Sequence, residues 1–236
     1  MLYTSRYSSQ SNILMSRKQN VKDWINERKW INPYWKKISN HPTRIFLEQD
    51  LYQDSSLFKQ EISKYKKIIC EFGSGSGQHL IELARRNPDT AVIGFELRFK
   101  RVVRTIEKSE AGGIPNTFVI CGYAQNSIEF INSINEIYIN FPDPWEKKTK
   151  NRLINESFLL DLSKLLKANG VFNFKTDHRD YFVKVTAMIE SHYQLIFSTN
   201  DLHSEDVINI KTEFESMFLS QGLSIYALQA KLAKGN

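Results

Sequence analysis

Apolar residues recur along this chain in short blocks, and the blocks alternate between two periods. Continuous apolar runs at 67–72, 91–96, 116–121, 136–141 and 170–175 predict buried strands. Between them, apolar positions three and four apart predict helices over 77–86, 98–110, 125–132, 153–167 and 178–190. In the first of these, Leu80, Ile81, Leu83 and Ala84 supply the apolar face, and Asn87-Pro88 supplies the stop. Such alternation predicts the α/β class: a doubly wound, mostly parallel, Rossmann-like sheet. Two later runs, 194–198 and 224–228, predict an antiparallel edge pair. No internal repeat or low-complexity tract interrupts the pattern.

The turn after the first strand is rich in glycine: Glu71-Phe-Gly73-Ser-Gly75-Ser-Gly77-Gln-His79. Glycine permits positive φ and close approach of a ligand to the backbone, and the helix that follows offers unpaired N–H groups. The spacing separates cofactors. A dinucleotide fingerprint counted from Gly73 needs glycine at 78, which is Gln78, and the Lys-Ser/Thr of a P-loop is missing. The second strand ends in Glu96, placed to bind the two ribose hydroxyls of a nucleoside. A nucleoside cofactor without a pyrophosphate is the reading, and S-adenosyl-L-methionine fits it best.

The fourth strand runs into Asn140-Phe-Pro-Asp-Pro-Trp145, followed by Glu-Lys-Lys-Thr-Lys-Asn-Arg152. Asp143 sits between two prolines. Each proline fixes its own φ and pushes the residue before it toward extended geometry, so Phe141 and Asp143 are both restricted. A stiff acid beside a basic loop, at the carboxyl end of a strand, suits a ligand with hydrogen-bond donors at one part and phosphates at another. A nucleotide within RNA has both.

Charge sharpens this. Of the net +6, residues 1–47 carry nine Lys/Arg against Asp23 and Glu27, a balance of +7, leaving −1 for the rest. Trp24, Trp30, Tyr34 and Trp35 are interleaved with these cations. The segment reads either as an RNA-binding arm or as a solvated arm whose aromatics dock on the domain. Residues 1–50 are expected to form this basic, partly disordered arm, and 51–236 the catalytic domain. The chain has no apolar run near ~20 residues, and its first residues lack the apolar core expected of a secretory signal. Cys70 and Cys121 fall on or beside strands and read as small buried residues in a reducing cytoplasm. The five histidines, His79 and His178 among them, have no ligand spacing. They read as surface or capping residues, and no metal is expected.

Two further polar clusters stand where a site could form. Asp177 follows the strand ending at Lys175, and by itself reads as an N-cap for a helix beginning at His178. Thr212-Glu-Phe-Glu215 reads by itself as a capping box.

Together these elements resemble the bacterial tRNA (guanine-N7-)-methyltransferases, a class I methyltransferase family. The resemblance runs from about residue 40 to the C-terminus. It rests on Glu71-Phe-Gly-Ser-Gly-Ser-Gly77, Ile93-Gly-Phe-Glu96, Asn140-Phe-Pro-Asp-Pro-Trp-Glu-Lys-Lys148, Phe174-Lys-Thr-Asp177, Asp201-Leu-His203 and Thr212-Glu-Phe-Glu-Ser-Met-Phe218 with Gly222. It implies methyl transfer from S-adenosyl-L-methionine to N7 of the variable-loop guanine (position 46) of tRNA, with tRNA as partner and neither DNA nor membrane. Glu71, Gly73, Gly75 and Gly77 would line the methionine and ribose part of the cofactor, and Glu96 would take the ribose hydroxyls. Tyr123 and Ala124 would lie at the adenine. Asn140 would sit near the methyl donor. Asp143 would be the central acid, beside both cofactor and base, and Lys147, Asp177, Thr212 and Glu215 would contact the RNA. The chain departs from the family at Tyr123, where many relatives have an acid, and at Thr149 and Asn151, where relatives often have cations. Three rivals remain at this level: a methyltransferase for an exocyclic adenine amine, a small-molecule or protein methyltransferase of the same fold, and a non-catalytic RNA-binding protein with a remnant pocket.

Overall fold

The computed structural model describes residues 32–233. Trp24, Trp30 and the cations at 6–29, on which the RNA-binding arm was expected to rest, lie outside the described residues. The elements run α1 (Trp35–Ile38), β1 (Ile45–Leu47), α2 (Glu48–Leu51), α3 (Ser56–Ile62), β2 (Lys67–Phe72), α4 (Gln78–Arg86), β3 (Thr90–Glu96), α5 (Phe99–Ala111), β4 (Thr117–Cys121), α6 (Ala124–Ser127), β5 (Ile134–Asn140), α7 (Glu156–Leu165), β6 (Leu166–Thr176), α8 (Arg179–Ile189), β7 (Tyr193–Thr199), α9 (Glu213–Ser220) and β8 (Tyr226–Leu232).

One eight-stranded sheet has the order β1-β4-β3-β2-β5-β6-β8-β7. Pairings from β1 through β6 are parallel, and β8 pairs antiparallel with both β6 and β7. The central strands read as unbroken apolar runs because both faces are covered. Cys70, Phe72, Ile93 and Phe95 point into one core with Ile137, Ile139 and Phe174. Ile69 and Val92 point into the other, with Leu80 of α4 and Val102 of α5. Strand order reverses at β2, between β3 and β5, and that reversal opens a crevice at the carboxyl ends of β2 and β5. Burial pushes the thiols of Cys70 and Cys121 up, so both stay protonated as small buried groups.

Three elements differ from the pattern-based expectation. The helix expected over 125–132 is the single turn α6 followed by a 3-10 turn, Ile128–Phe130. Its Asn126 and Ser127 side chains bond to Glu48 instead of facing solvent. Strand β6 starts at Leu166, four residues early, and takes in residues 166–169. Finally, the sheet begins before residue 51. β1 pairs with β4 at the edge, Trp35 packs edge-on against Phe99 with ring centroids 5.2 Å apart, and Arg44 Nε donates to the Thr117 carbonyl at 2.6 Å. Residues 35–50 are thus part of the packed domain, with the Tyr34 and Trp35 aromatics docked on its second core.

Candidate active site

The turn from β2 into α4 uses its glycines for two different reasons. Gly73, Gly75 and Gly77 all have left-handed φ, at 78°, 57° and 81°. At Gly73 an added Cβ would meet nothing within 4 Å, so glycine there serves conformation and leaves the backbone open. At Gly77, the N-cap of α4, a Cβ would run into Thr105 of α5. Gly77 therefore sets helix packing and does not line the cavity beside the turn, whereas Gly73 and Gly75 do. Both Gly73 N–H and Ser74 N–H donate to the Phe95 carbonyl, at 2.9 and 3.1 Å, which ties the turn to β3.

That cavity is walled by Glu71, Gly73, Ser74, Gly75, His79 and Asn140 on one side and by Thr212 and Phe214 on the other. Glu71 is 2% exposed. Its Oε1 accepts from Asn140 Nδ2 at 3.0 Å and lies 3.0 Å from His79 Nδ1. Among the described residues, three buried polar atoms on residues lining the cavity have no hydrogen-bond partner: Glu71 Oε2, Ser74 Oγ and Asn140 Oδ1. Buried polar groups are seldom left unsatisfied, so a polar ligand with donors fits this cavity. His79 is buried, neither a surface residue nor a cap as its spacing had suggested.

Glu96 ends β3 with Oε1 accepting the N–H groups of Leu97 and Arg98, at 2.8 and 2.9 Å. Among the described residues, Oε2 is approached by Arg101 alone, at 3.6 Å. After β4, the Tyr123 N–H is taken by Glu48 Oε2 at 2.5 Å, and the Tyr123 ring is exposed. Glu48 is 3% exposed and also accepts from Asn126 Nδ2 and Ser127 Oγ, at 3.0 and 3.2 Å. A carboxylate from α2 thus holds the whole loop in place. Glu48→Ala is expected to strip these three donors of their partner and lower stability by about 2–3 kcal/mol, read as a shift in the urea midpoint.

The loop after β5 is strained. Phe141 has φ 51° and Trp145 φ 42°, a conformation costing of order 1–3 kcal/mol for such side chains. Proline at 142 had predicted extended backbone at Phe141. Tertiary contacts override it: Phe141 N–H donates to the Lys175 carbonyl at 2.8 Å, and its ring meets Phe218 at 5.4 Å. Arg152, 6% exposed, closes the loop by donating from Nε to the Pro144 carbonyl at 2.6 Å, with its guanidinium 4.5 Å from the Tyr181 ring centre. Asp143 and Lys147 are exposed on this loop, outside the cavity lining.

The far wall is organised by an ion pair inside the protein. Lys175 Nζ reaches Glu215 Oε2 at 3.1 Å and the Ile210 carbonyl at 3.1 Å. Glu215 is 0% exposed, forms the capping box with Thr212, and has His203 Nε2 at 2.8 Å from Oε1. Burial would raise the Glu215 carboxyl. Attraction to Lys175 and the bonds from Asn209 and Thr212 outweigh this and hold it below the usual carboxylate range. Burial also lowers Lys175, partly offset by Glu215. Both Glu215 oxygens are occupied, while Thr212 stands at the cavity wall. The N-cap of α8 is His178, whose Nδ1 accepts from Tyr181 N–H at 3.1 Å, so Asp177 is not the cap.

Motif reading passed over Glu48, took His79 for a surface or capping residue and Arg152 for a cation of the basic loop, and gave Lys175 no role. Only His79, a histidine on the apolar face of α4, and Lys175, a cation ending an apolar strand, carried a visible signal.

Over 170 residues the chain is 39% identical to the tRNA (guanine-N(7)-)-methyltransferase of Listeria welshimeri, covering 70% of this chain and 79% of that protein. The chain belongs to the tRNA (guanine-N(7)-)-methyltransferase family. Its counterpart in Clostridioides difficile is 31% identical over 195 residues, 80% of this chain and 91% of that one. A methyltransferase family model matches residues 65–228. The chain also matches a bifunctional glycosyltransferase/methyltransferase of Fusobacterium nucleatum, 36% identical over 88% of this chain, but spans only about a third (34%) of that protein's length. Among solved structures, the 16S rRNA methyltransferase KamB superposes with a TM-score of 0.61 at 18% identity, covering 77% of this chain and 94% of that one. A 16S rRNA (adenine(1408)-N(1))-methyltransferase from Catenulisporales acidiphilia, solved with its cosubstrate SAM, gives 0.54 at 12% identity, covering 78% and 93%. At these identities the likeness concerns the fold, which is the class I methyltransferase fold with an antiparallel edge pair. Among the described residues, no helix is long and apolar enough to cross a membrane.

Proposed function

We propose that this protein transfers a methyl group from S-adenosyl-L-methionine to N7 of the variable-loop guanine of tRNA. One observation carries the reading: among the described residues, Glu71 Oε2 and Asn140 Oδ1 are buried without a hydrogen-bond partner, on two residues that line one cavity together with the left-handed Gly73 and Gly75. An amino-acid moiety bearing an ammonium group would satisfy them. Glu71 and the open backbone at Gly73 and Gly75 would hold that end, and Glu96 Oε2 would accept a ribose hydroxyl. Since Tyr123 N–H is already bonded to Glu48, the adenine would fall to the first N–H of α6, at Ala124, one of the groups a helix start leaves unpaired.

When bound, this cofactor supplies an activated sulfonium methyl group. Guanine N7 carries an in-plane lone pair and no proton, so no general base is needed. The protein's task is to hold N7 in line, and positioning of this kind contributes about 7–11 kcal/mol in favourable cases. Asp143, on its stiff loop, would accept from N1–H and the 2-amino group of guanine. Adenine offers no donor at N1. The carboxylate would also offset the positive charge that N7 methylation leaves on the base. Lys147 and Asp177 would meet the RNA nearby. Thr212 would face the site directly, and Glu215 would act by holding Thr212 and Lys175 in place.

The test is methyl transfer from labelled S-adenosyl-L-methionine to unmodified bulk tRNA, followed by nucleoside analysis. 7-Methylguanosine as the sole labelled product is expected. Label in another nucleoside would overturn the base assignment and keep the cofactor. No transfer and no cofactor binding would favour a non-catalytic RNA-binding protein.

A further inference from the structure

Helix α9 inverts the usual pattern of a surface helix, which buries an apolar stripe and turns its charges to water. The one buried residue of α9 is an acid, Glu215, while Phe214 and Met217 are 44% and 42% exposed. Phe214, Met217 and Phe218 stand three and four positions apart and share one face of the helix. Leu223, just beyond the helix, is exposed as well. The pairing of Lys175 with Glu215 accounts for the buried acid. It does not account for the exposed ring.

That ring belongs to a row. Phe218 packs against Phe141 with centroids 5.4 Å apart, and against Phe214 with centroids 6.4 Å apart at 25°, close to parallel. Phe141 and Phe214 both line the cavity that Glu71 and Asn140 line. The left-handed backbone of Phe141 holds one end of the row, and the capped first turn of α9 holds the other. A row of rings beside a polar cavity suits a ligand that is flat, with π faces and polar edges. A nucleobase has that form, and a base turned out of its stack is held by such side chains.

Methyl transfer to N7 improves the fit. The N7 lone pair forms the new bond, the carbon–sulfur pair stays on sulfur, and the positive charge passes from the sulfonium to the base. An aromatic face attracts a cation, so the ring would grip the base more firmly as it is methylated.

We propose that Phe214 is the stacking platform for the target guanine. The base lies on the Phe214 ring, backed by Phe218 and Phe141, and its edges stay free for Asp143 and Thr212. The inference rests on the guanine-N7 reading of the reaction and names the group that holds the base by its face.

Two tRNA transcripts test it, one with the variable-loop guanine and one with an abasic site in its place. Phe214→Leu keeps an apolar side chain and removes the π face. It is expected to raise the Kd and KM of the guanine transcript about 10- to 100-fold, the order of one lost base–aromatic stack. The Kd of the abasic transcript, and the calorimetric Kd of S-adenosyl-L-methionine, should stay within about twofold. Phe214→Tyr should recover most of the affinity. Equal losses on both transcripts, an unchanged Kd for the guanine transcript, or weakened cofactor binding with unchanged RNA binding overturns the proposal. So does a change of oligomeric state in place of the RNA effect, which would give this face to a second copy of the chain. If Phe214→Leu does not fold, Phe214→Met takes its place in the same comparison. A wild type that labels a nucleoside other than 7-methylguanosine would instead overturn the reading of the reaction.

Discussion

Lys175→Met is expected to cost the folded protein about 3–5 kcal/mol, the penalty for leaving one partner of a buried ion pair without the other. Methionine matches the length of the lysine stem, so the loss falls on the ammonium and its three contacts: Glu215 Oε2, the Ile210 carbonyl and Asn209 Oδ1. Glu215 would remain 0% exposed beside Asn209 and His203 with its strongest counter-charge gone. Urea denaturation should show a lower midpoint at unchanged slope, and Lys175→Met with Glu215→Leu should regain part of the loss, because an apolar pair leaves no charge uncompensated. A loss under about 1 kcal/mol would show the pair to be dispensable.

The same pair gives a signed pH dependence. The folded-state pKa of Glu215 is depressed, so its contribution is complete above the ordinary carboxylate range. It is lost as pH falls through the depressed value. Lys175→Met should shrink this acid-side loss, since the attraction that depresses Glu215 is gone.

Asp143→Asn is expected to lower turnover about 100- to 1,000-fold, the range seen when one preorganised group is removed from a charge-developing site, while stability changes within about 0.5 kcal/mol. The two effects separate because Asp143 is exposed and outside the cavity lining, whereas its loop is held by other residues. Phe141 N–H to the Lys175 carbonyl, Arg152 Nε to the Pro144 carbonyl, and Lys148 N–H to the Trp145 carbonyl at 2.9 Å fix the loop independently of the carboxylate. Asparagine keeps the shape and one acceptor oxygen but loses the charge. It should therefore also erode the preference for guanine, measured as the share of 7-methylguanosine among labelled nucleosides. Near-wild-type turnover with unchanged selectivity would remove Asp143 from the mechanism.

The loop around Asp143 shows where motif reading stops. That an acid between two prolines leaves the end of a strand was plain from Asn140–Trp145. That Phe141 adopts a left-handed φ was not, because the local preference of a residue before proline is opposed by a backbone bond to β6 and a ring contact with α9, both remote in sequence.

Strand periodicity, the strand–glycine–helix turn and Glu96 were determined by the sequence, because each is a local signal: burial on both faces makes a continuous apolar run, and a tight turn demands glycine. The five central parallel strands and the antiparallel pair followed from this. The tertiary structure alone decided how the polar residues are partnered. Glu48 holds the Tyr123 loop from 75 positions away, Lys175 meets Glu215 across 40, and Arg152 closes on Pro144 over a proline-stiffened loop. Whether a charge is buried and paired depends on which elements the fold brings together, and no local pattern records that. Hence Glu215 could be read from Thr-x-x-Glu as a cap, and only the packing of β6 against the 209–215 segment makes it the counter-charge of a buried lysine.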